Sequence, residues 1–162
     1  MKEAESIQVR MVINAWETYA GRTDKLLNSL PEEQFLQEIS PGRNRGIYLL
    51  GHLTAVHDGM PRILGFEEPQ YPDLEHVFIR NPDKAGLPTP GVAELLKCWH
   101  NVSERLNRHI HSLGVEDWFG RHMSVSEEDF AKEPWRNKLN IIVNRTNHLA
   151  YHLGQLALLG KK

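Results

Sequence analysis

Cysteine and positive charge are both scarce in this sequence. The 162 residues include one cysteine, Cys98, which excludes a disulfide framework within the chain. A single thiol also suits a reducing compartment, so we expect a cytoplasmic protein. Lys and Arg number 19 against 21 Asp and Glu, and the formal net charge is -2. This balance argues against nucleic acid as a partner, because nucleic-acid-binding surfaces carry an excess of positive charge.

Long apolar segments are also missing. No run approaches the roughly 20 apolar residues that a membrane-spanning helix needs. The first ten residues, MKEAESIQVR, lack the apolar core of a signal peptide. We therefore expect no membrane as a partner. No low-complexity linker, charge block or internal repeat divides the chain, and its length is sufficient for one hydrophobic core. The sequence thus predicts a single domain over residues 1–162.

Apolar side chains recur at the three- and four-residue spacing that is typical of amphipathic helices. This spacing predicts helices over about 4–29 and 91–113, a helix that begins near 41–43 and ends at Gly65, and a last helix over 136–159. We expect Gly59 and Pro61 to kink or interrupt the second helix. Three connections join these helices. The first follows Pro31, is of moderate length and has room for one helical turn. The second is a long loop over 66–90 with five prolines, and the third is an irregular segment over 115–135.

Four helices without an alternating strand pattern predict an all-α four-helix bundle. The long second connection can cross the bundle, which would let the second and third helices run parallel. The predicted topology is therefore up-down-down-up. The chain ends in Gly160, Lys161 and Lys162, whose positive charge would complement the dipole of the last helix.

Two histidines of the last helix, His148 and His152, are four residues apart. This spacing places both rings on one face of a helix about one turn apart, where they can bind the same metal ion. His52 lies in the middle of the apolar stripe of the second helix, where leucine would be the usual residue. A single buried histidine is more often structural than a ligand. The joint placement of all three on inward faces is what predicts a metal site with open positions for water or substrate.

The other six histidines do not join this group. His57 follows His52 by five residues, which turns its side chain by roughly 140° around the helix. The remaining five flank the apolar stripe of the third helix or lie in loops and at helix ends. We interpret all six as solvated or structural, and Asp58 as a surface residue. Cys98 lies at the margin of an apolar face next to Trp99, and we interpret it as a packed residue rather than a nucleophile.

The second helix contains Leu50-Gly51-His52-Leu53, and the last helix contains the pattern H-x-x-x-H-x-G-Q, formed by His148, His152, Gly154 and Gln155. These two short motifs resemble those of the DinB-like metalloprotein superfamily. The resemblance spans nearly the whole chain in helix order and spacing. One departure is Leu153, where many members carry an arginine. If that arginine contacts the substrate or a second subunit in other members, this chain lacks the contact. The three metal-binding histidines are not affected.

The resemblance implies a four-helix bundle of up-down-down-up topology that is often a homodimer. It also implies a divalent metal ion, zinc, nickel or a similar ion, held by His52, His148 and His152. Characterised members include transferases and isomerases that use a low-molecular-weight thiol such as bacillithiol or mycothiol. The family name refers to the DNA-damage induction of one member and implies no contact with DNA.

The residues around the predicted ligands bear on the chemistry of the site. The last helix contains no Asp or Glu, so the groups that orient the imidazoles must be a carboxylate of another element, such as Glu17, or backbone carbonyls. Three neutral imidazoles leave the charge of a dication uncompensated, which favours hydroxide, carboxylate or thiolate as a further ligand. Tyr48 and Asn144 each precede a ligand by one turn and can line the open side. Gln155 can instead hold a helix contact.

These observations support a metal-dependent enzyme, a low-molecular-weight-thiol-dependent transferase, that acts on a small anionic or thiol ligand. A hydrolase that uses metal-bound water is an alternative. A non-catalytic bundle that binds a metal or a small ligand is another, because the sequence places no general acid or base beside the three histidines. No catalytic residue is assigned.

Overall fold

The computed structural model of the chain describes residues 2–160. Its helices in chain order are α1 (Lys2–Ser29), α2 (Glu32–Phe35), α3 (Gly46–Asp58), α4 (Met60–Leu64), α5 (Asp73–Phe78), α6 (Val92–Ser112), α7 (Val115–Trp118), α8 (Glu127–Lys132) and α9 (Lys138–Leu156). Residues 2–160 contain no strand, only two isolated bridges between loop residues. The predicted all-α class is confirmed. The predicted contribution of Lys161 and Lys162 to the end of the last helix lies outside the described residues.

The four long helices α1, α3, α6 and α9 correspond to the four predicted helices. α1 continues through Gly21 without a break, and Gly59 separates α3 from α4 as predicted. α3 begins later than predicted because Arg45 still has extended backbone, with φ -76° and ψ 157°. Asp83 of the crossover accepts hydrogen bonds from the backbone N–H and the guanidinium of Arg45. α9 begins at Lys138 and has Asn137 as its N-cap, whose side chain accepts the N–H of Asn140.

The core lies between these four helices. α1 packs against α9, and α3 packs against α6, α5 and α9. Because α3 has neighbours on several sides, almost all of its side chains are buried, and its sequence is apolar around most of its circumference. None of the described helices is long and apolar enough to span a membrane. The position of α3 at the centre of the bundle is what brings His52 close to α9.

Contacts near the helix ends agree with the predicted up-down-down-up order. Gly46 at the start of α3 lies against Leu159, just beyond the end of α9. Glu17 of α1 pairs with His111 near the end of α6. Asp24 lies further along α1, and it accepts a hydrogen bond from Trp99, which is nearer the start of α6. α1 and α6 therefore run in opposite directions. The exact topology of the bundle stays a prediction.

Asp58 at the end of α3 is buried, with 1% of its surface exposed, so the prediction of a surface residue is wrong. Its carboxylate accepts the backbone N–H of Gln70 and of Tyr71, at 3.0 and 2.7 Å, and pairs with Arg105 of α6 at 2.7 Å. These partners replace the water that the carboxylate loses on burial. Asp58 thereby fixes the first part of the crossover to α3 and α6.

Candidate metal centre

The three predicted histidines meet at one point between α3 and α9. The Nε2 atom of His148 lies 3.0 Å from Nε2 of His52 and 3.1 Å from Nε2 of His152. Each residue offers a ligand atom, and these atoms all lie within 4.8 Å of one another. The four-residue spacing on α9 therefore places two rings on one face, and α3 supplies the third ring from the opposite side.

Hydrogen bonds fix which nitrogen of His52 and His152 faces the centre. Nδ1 of His52 lies 2.8 Å from the backbone carbonyl oxygen of Phe78, which can only accept, so this Nδ1 carries the hydrogen. Nδ1 of His152 lies 2.7 Å from Oε1 of Gln155, whose amide nitrogen donates to the hydroxyl of Tyr151. The Nε2 atoms of both histidines consequently present lone pairs to the centre.

The third histidine cannot satisfy both of these lone pairs. Nε2 of His148 faces two acceptors, and a single N–H there would serve only one of them well. Nδ1 of His148 is buried and has no hydrogen-bond partner among the described residues. Three converging nitrogens with at most one hydrogen between them are unfavourable without a cation. The donor set therefore fits a divalent metal ion bound by imidazole nitrogens.

The electrostatics keep the three rings in the form that binds metal. Burial lowers the pKa of His52 and of His152, and it lowers the pKa of His148 to about 4. The charges of the neighbouring histidines contribute further to the low pKa of His148. All three imidazoles are therefore neutral at pH 7, and a neutral imidazole can donate its lone pair to a metal.

A cavity of about 300 Å³ opens beside His52 and His148, and Arg145 lines it. Arg145 precedes His148 by three residues on α9 and so lies on the same face. Its side chain is half-buried, and its guanidinium makes no hydrogen bond or ion pair to another described residue. Burial lowers the pKa of Arg145, yet a guanidinium stays charged at neutral pH. The open side of the histidine cluster is thus electropositive.

A family model described as the DinB superfamily matches residues 15–156, which include all three histidines. The chain belongs to the DinB superfamily. No curated protein matches the chain. Within this DinB superfamily protein, Leu153 is half-buried on α9 and brings no charge next to His152. Arg145 and Arg62 both line the cavity on the open side of the site. Sequence reasoning missed Arg145, although its spacing from His148 would have indicated it.

The three residues that were predicted to line the site of this DinB superfamily protein differ in position. Gln155 contacts the ring of His152 directly, as given above. Tyr48 donates a hydrogen bond to the carbonyl oxygen of Asn81 at 2.8 Å and lies on the crossover side of His52. Asn144 is exposed, and Arg145 rather than Asn144 lines the cavity.

The groups that orient the imidazoles are a backbone carbonyl and an amide. Glu17, which was one candidate for an orienting carboxylate, pairs with His111 at 2.9 Å instead of with a ligand imidazole. The alternative, a backbone carbonyl, is correct for His52. Cys98 is buried, and burial raises the pKa of its thiol, which agrees with a packed residue rather than a nucleophile.

Proposed function

We propose that this DinB superfamily protein binds one divalent metal ion through Nε2 of His52, His148 and His152. We further propose that it is a metal-dependent transferase that uses a low-molecular-weight thiol. The observation that supports metal binding is the convergence of three Nε2 atoms with lone pairs on at least two. Zinc and nickel are the favoured ions, because both accept imidazole ligands readily.

The surroundings of the cluster favour an anionic ligand. When bound, the metal ion would supply the positive charge that lowers the pKa of a thiol and keeps it as the nucleophilic thiolate. Arg145 adds a second positive charge on the same side of the cluster. It can bind a carboxylate of the thiol or of its acceptor with charge-assisted hydrogen bonds. The cavity of about 300 Å³ limits the ligand to a small molecule.

The carboxylates at this cavity are already engaged by arginines. Asp58 pairs with Arg105 at 2.7 Å, and Glu75 pairs with Arg80 at 2.8 Å. Neither lining carboxylate is a free general base. This arrangement favours a reaction whose nucleophile is activated by a lowered pKa, as a thiol would be, over one that needs a dedicated base.

Metal content tests the binding proposal directly. Protein that is purified without an affinity tag should contain about one metal ion per chain, measured by elemental analysis. The variant His52→Ala should lose this metal, whereas His100→Ala, an exposed histidine of α6, should retain it. Less than stoichiometric metal in wild-type protein under all loading conditions would contradict the proposal. Nickel that is found only after a nickel column would show a competent site without identifying its natural ion.

Turnover tests the reaction. Metal-loaded protein should accelerate the conjugation of low-molecular-weight thiols to an electrophilic acceptor such as a chlorobimane, in which the thiolate forms the S–C bond and chloride leaves, measured by mass spectrometry. Arg145→Gln should keep the metal and lower kcat/KM by about tenfold, because a half-buried charged hydrogen bond is lost. Ester hydrolysis without any thiol would instead favour the hydrolase. Tight metal binding with no turnover would favour a non-catalytic binding protein.

We also propose that the protein is a cytoplasmic homodimer. Support for association comes from exposed apolar side chains on α1 and α9, which pack against each other. The most exposed of these are Ile7, Met11 and Tyr151, with 53%, 67% and 64% of their surfaces accessible. Sedimentation equilibrium of the wild-type protein and of Tyr151→Lys would test this. A monomer at all accessible concentrations would contradict it.

A further inference from the structure

The lining of the cavity beside the metal centre indicates what kind of ligand it accepts. The cavity is lined by residues of α3, α4, α5, α9 and the crossover. Its volume of about 300 Å³ is at the lower end of the range of small-molecule sites, which runs from roughly 300 to 1,000 Å³. The proposed function allows the carboxylate that Arg145 binds to belong either to the thiol or to its acceptor. The other lining groups decide between these two.

Arg145 is the charged group of this cavity that has no counter-charge. Its guanidinium makes no hydrogen bond or ion pair to a described residue, and none of its nitrogens is buried out of reach of solvent. Arg62 also lines the cavity, but its side chain is 52% exposed and faces Glu68 at 3.6 Å. The two lining carboxylates are engaged by other arginines, as given above. The group that suits Arg145 is a carboxylate, which matches the planar guanidinium with two parallel hydrogen bonds.

Apolar side chains form much of the remaining lining. They are Ala55, Val56, Ile63, Pro69, Pro72 and Ile79. Ile79 is 44% exposed, and an apolar ligand that packs against it would remove this surface from water. Low-molecular-weight thiols carry amide, amine or sugar groups, which would lose hydration against such side chains without gaining hydrogen bonds. The lining therefore suits the acceptor better than the thiol.

We infer that this cavity binds a small apolar carboxylate. Its carboxylate would accept hydrogen bonds from the guanidinium of Arg145, and its apolar body would pack against Ile63 and Ile79. The ligand is then the acceptor of the thiol, and this assignment of its role rests on the proposed function. Binding itself requires only lining groups of the cavity that are accessible to the ligand. It needs neither the metal ion nor the thiol.

The two halves of the ligand are tested separately. Phenylacetate would be titrated into metal-loaded protein by isothermal calorimetry. 2-Phenylethanol keeps the ring without the charge, and acetate keeps the charge without the ring. We expect saturable one-to-one binding of phenylacetate, and binding of each of the other two that is weaker by about tenfold. Equal binding of the alcohol or of acetate, or no saturation by phenylacetate, would overturn the proposal.

Variants locate the binding. Arg145→Gln should keep the metal and weaken the binding of phenylacetate by about tenfold. Arg10→Gln, the same change at an exposed residue of α1 outside the cavity, should leave the affinity unchanged. Ile79→Ser should weaken phenylacetate by about threefold to tenfold without an effect on acetate, and it keeps the test decisive if Arg145→Gln does not fold. Equal affinities of wild type and Arg145→Gln would overturn the proposal.

Metal-free protein separates this site from the metal ion, which can bind a carboxylate directly. Chelator-treated protein should retain saturable binding of phenylacetate, and Arg145→Gln should weaken it there as well. Loss of this binding in metal-free protein that keeps its helical circular dichroism would place the carboxylate on the metal and overturn the proposal. If removal of the metal unfolds the chain, the Arg145→Gln comparison in metal-loaded protein decides. Wild-type protein without metal would contradict the proposed function but not this binding, so the two proposals fail separately.

Discussion

Two residues outside the histidine cluster decide how its rings are presented. The carbonyl oxygen of Phe78 and the amide oxygen of Gln155 each take a hydrogen from an Nδ1 atom, which leaves Nε2 free to bind a metal. Such partners fix both the tautomer and the orientation of a ligand ring. His148 has no partner of this kind among the described residues. It relies on packing between the other two rings.

Replacement of Gln155 should therefore weaken metal binding. Gln155→Leu removes the acceptor of the His152 Nδ1 hydrogen, and we expect the metal affinity to fall by about tenfold to a hundredfold. Competition with a chromophoric chelator measures this. Asn144→Ala is the matched control on α9, because the side chain of Asn144 is exposed and makes no hydrogen bond to a described residue. Equal affinities of the two variants would mean that the amide does not position the ring.

Residue-scale predictions from the sequence succeeded where local spacing carried the information. The four-residue separation on α9 and the apolar stripe around His52 were sufficient to predict the cluster. Asp58 was misplaced because the groups that bind it, at positions 70, 71 and 105, are remote in sequence. Arg145 was missed because an arginine on a helix is usually solvated. Only the packed structure shows that its guanidinium lacks an acidic partner.

At the scale of elements, the short helix α5 supports the metal centre, although the residue pattern predicted only a loop there. α5 ends at Phe78, whose ring packs against Gly51 of α3 and whose carbonyl oxygen binds His52. Its six residues are too few to show helical periodicity, and prolines surround them. The long helices were predictable because their apolar stripes extend over several turns. α5 owes its position to contacts with α3.

Gly51→Ala tests the link between these two elements. A Cβ at Gly51 would lie 2.4 Å from the Phe78 ring, so α5 would have to move away from α3. We expect the free energy of unfolding to fall by about 1–3 kcal/mol, and the metal affinity to fall with it. Urea unfolding and chelator competition measure the two effects.

Gly21→Ala is the control for this substitution. A Cβ there has no neighbour within 4 Å, so replacement inside α1 should stabilise the protein by about 0.5–1 kcal/mol. A Gly51→Ala protein with unchanged stability and unchanged metal affinity would show that α5 does not hold His52 in place.

At the scale of the whole molecule, buried neutral histidines link stability to pH. Burial, together with the charges of His148, Arg145 and His52, lowers the pKa of His57 to about 3. In the unfolded chain the pKa of a histidine is about 6.5. The unfolded state therefore binds more protons than the folded state between these two values. The contribution of His57 to stability is fully present above pH 6.5 and is lost as the pH falls toward 3.

Metal-free protein should consequently lose stability on acidification, and His57 should account for a definite part of the loss. The expected contribution of one such histidine is about 1.4 kcal/mol per pH unit below 6.5. Urea unfolding of wild type and His57→Phe between pH 7 and 4.5, with chelator present, measures the difference. The variant should show the smaller slope, because one proton fewer is taken up on unfolding.

The remaining slope would come from the other histidines, including His148, whose pKa is lowered to about 4. Parallel slopes in the two proteins would mean that His57 is already protonated in the folded state.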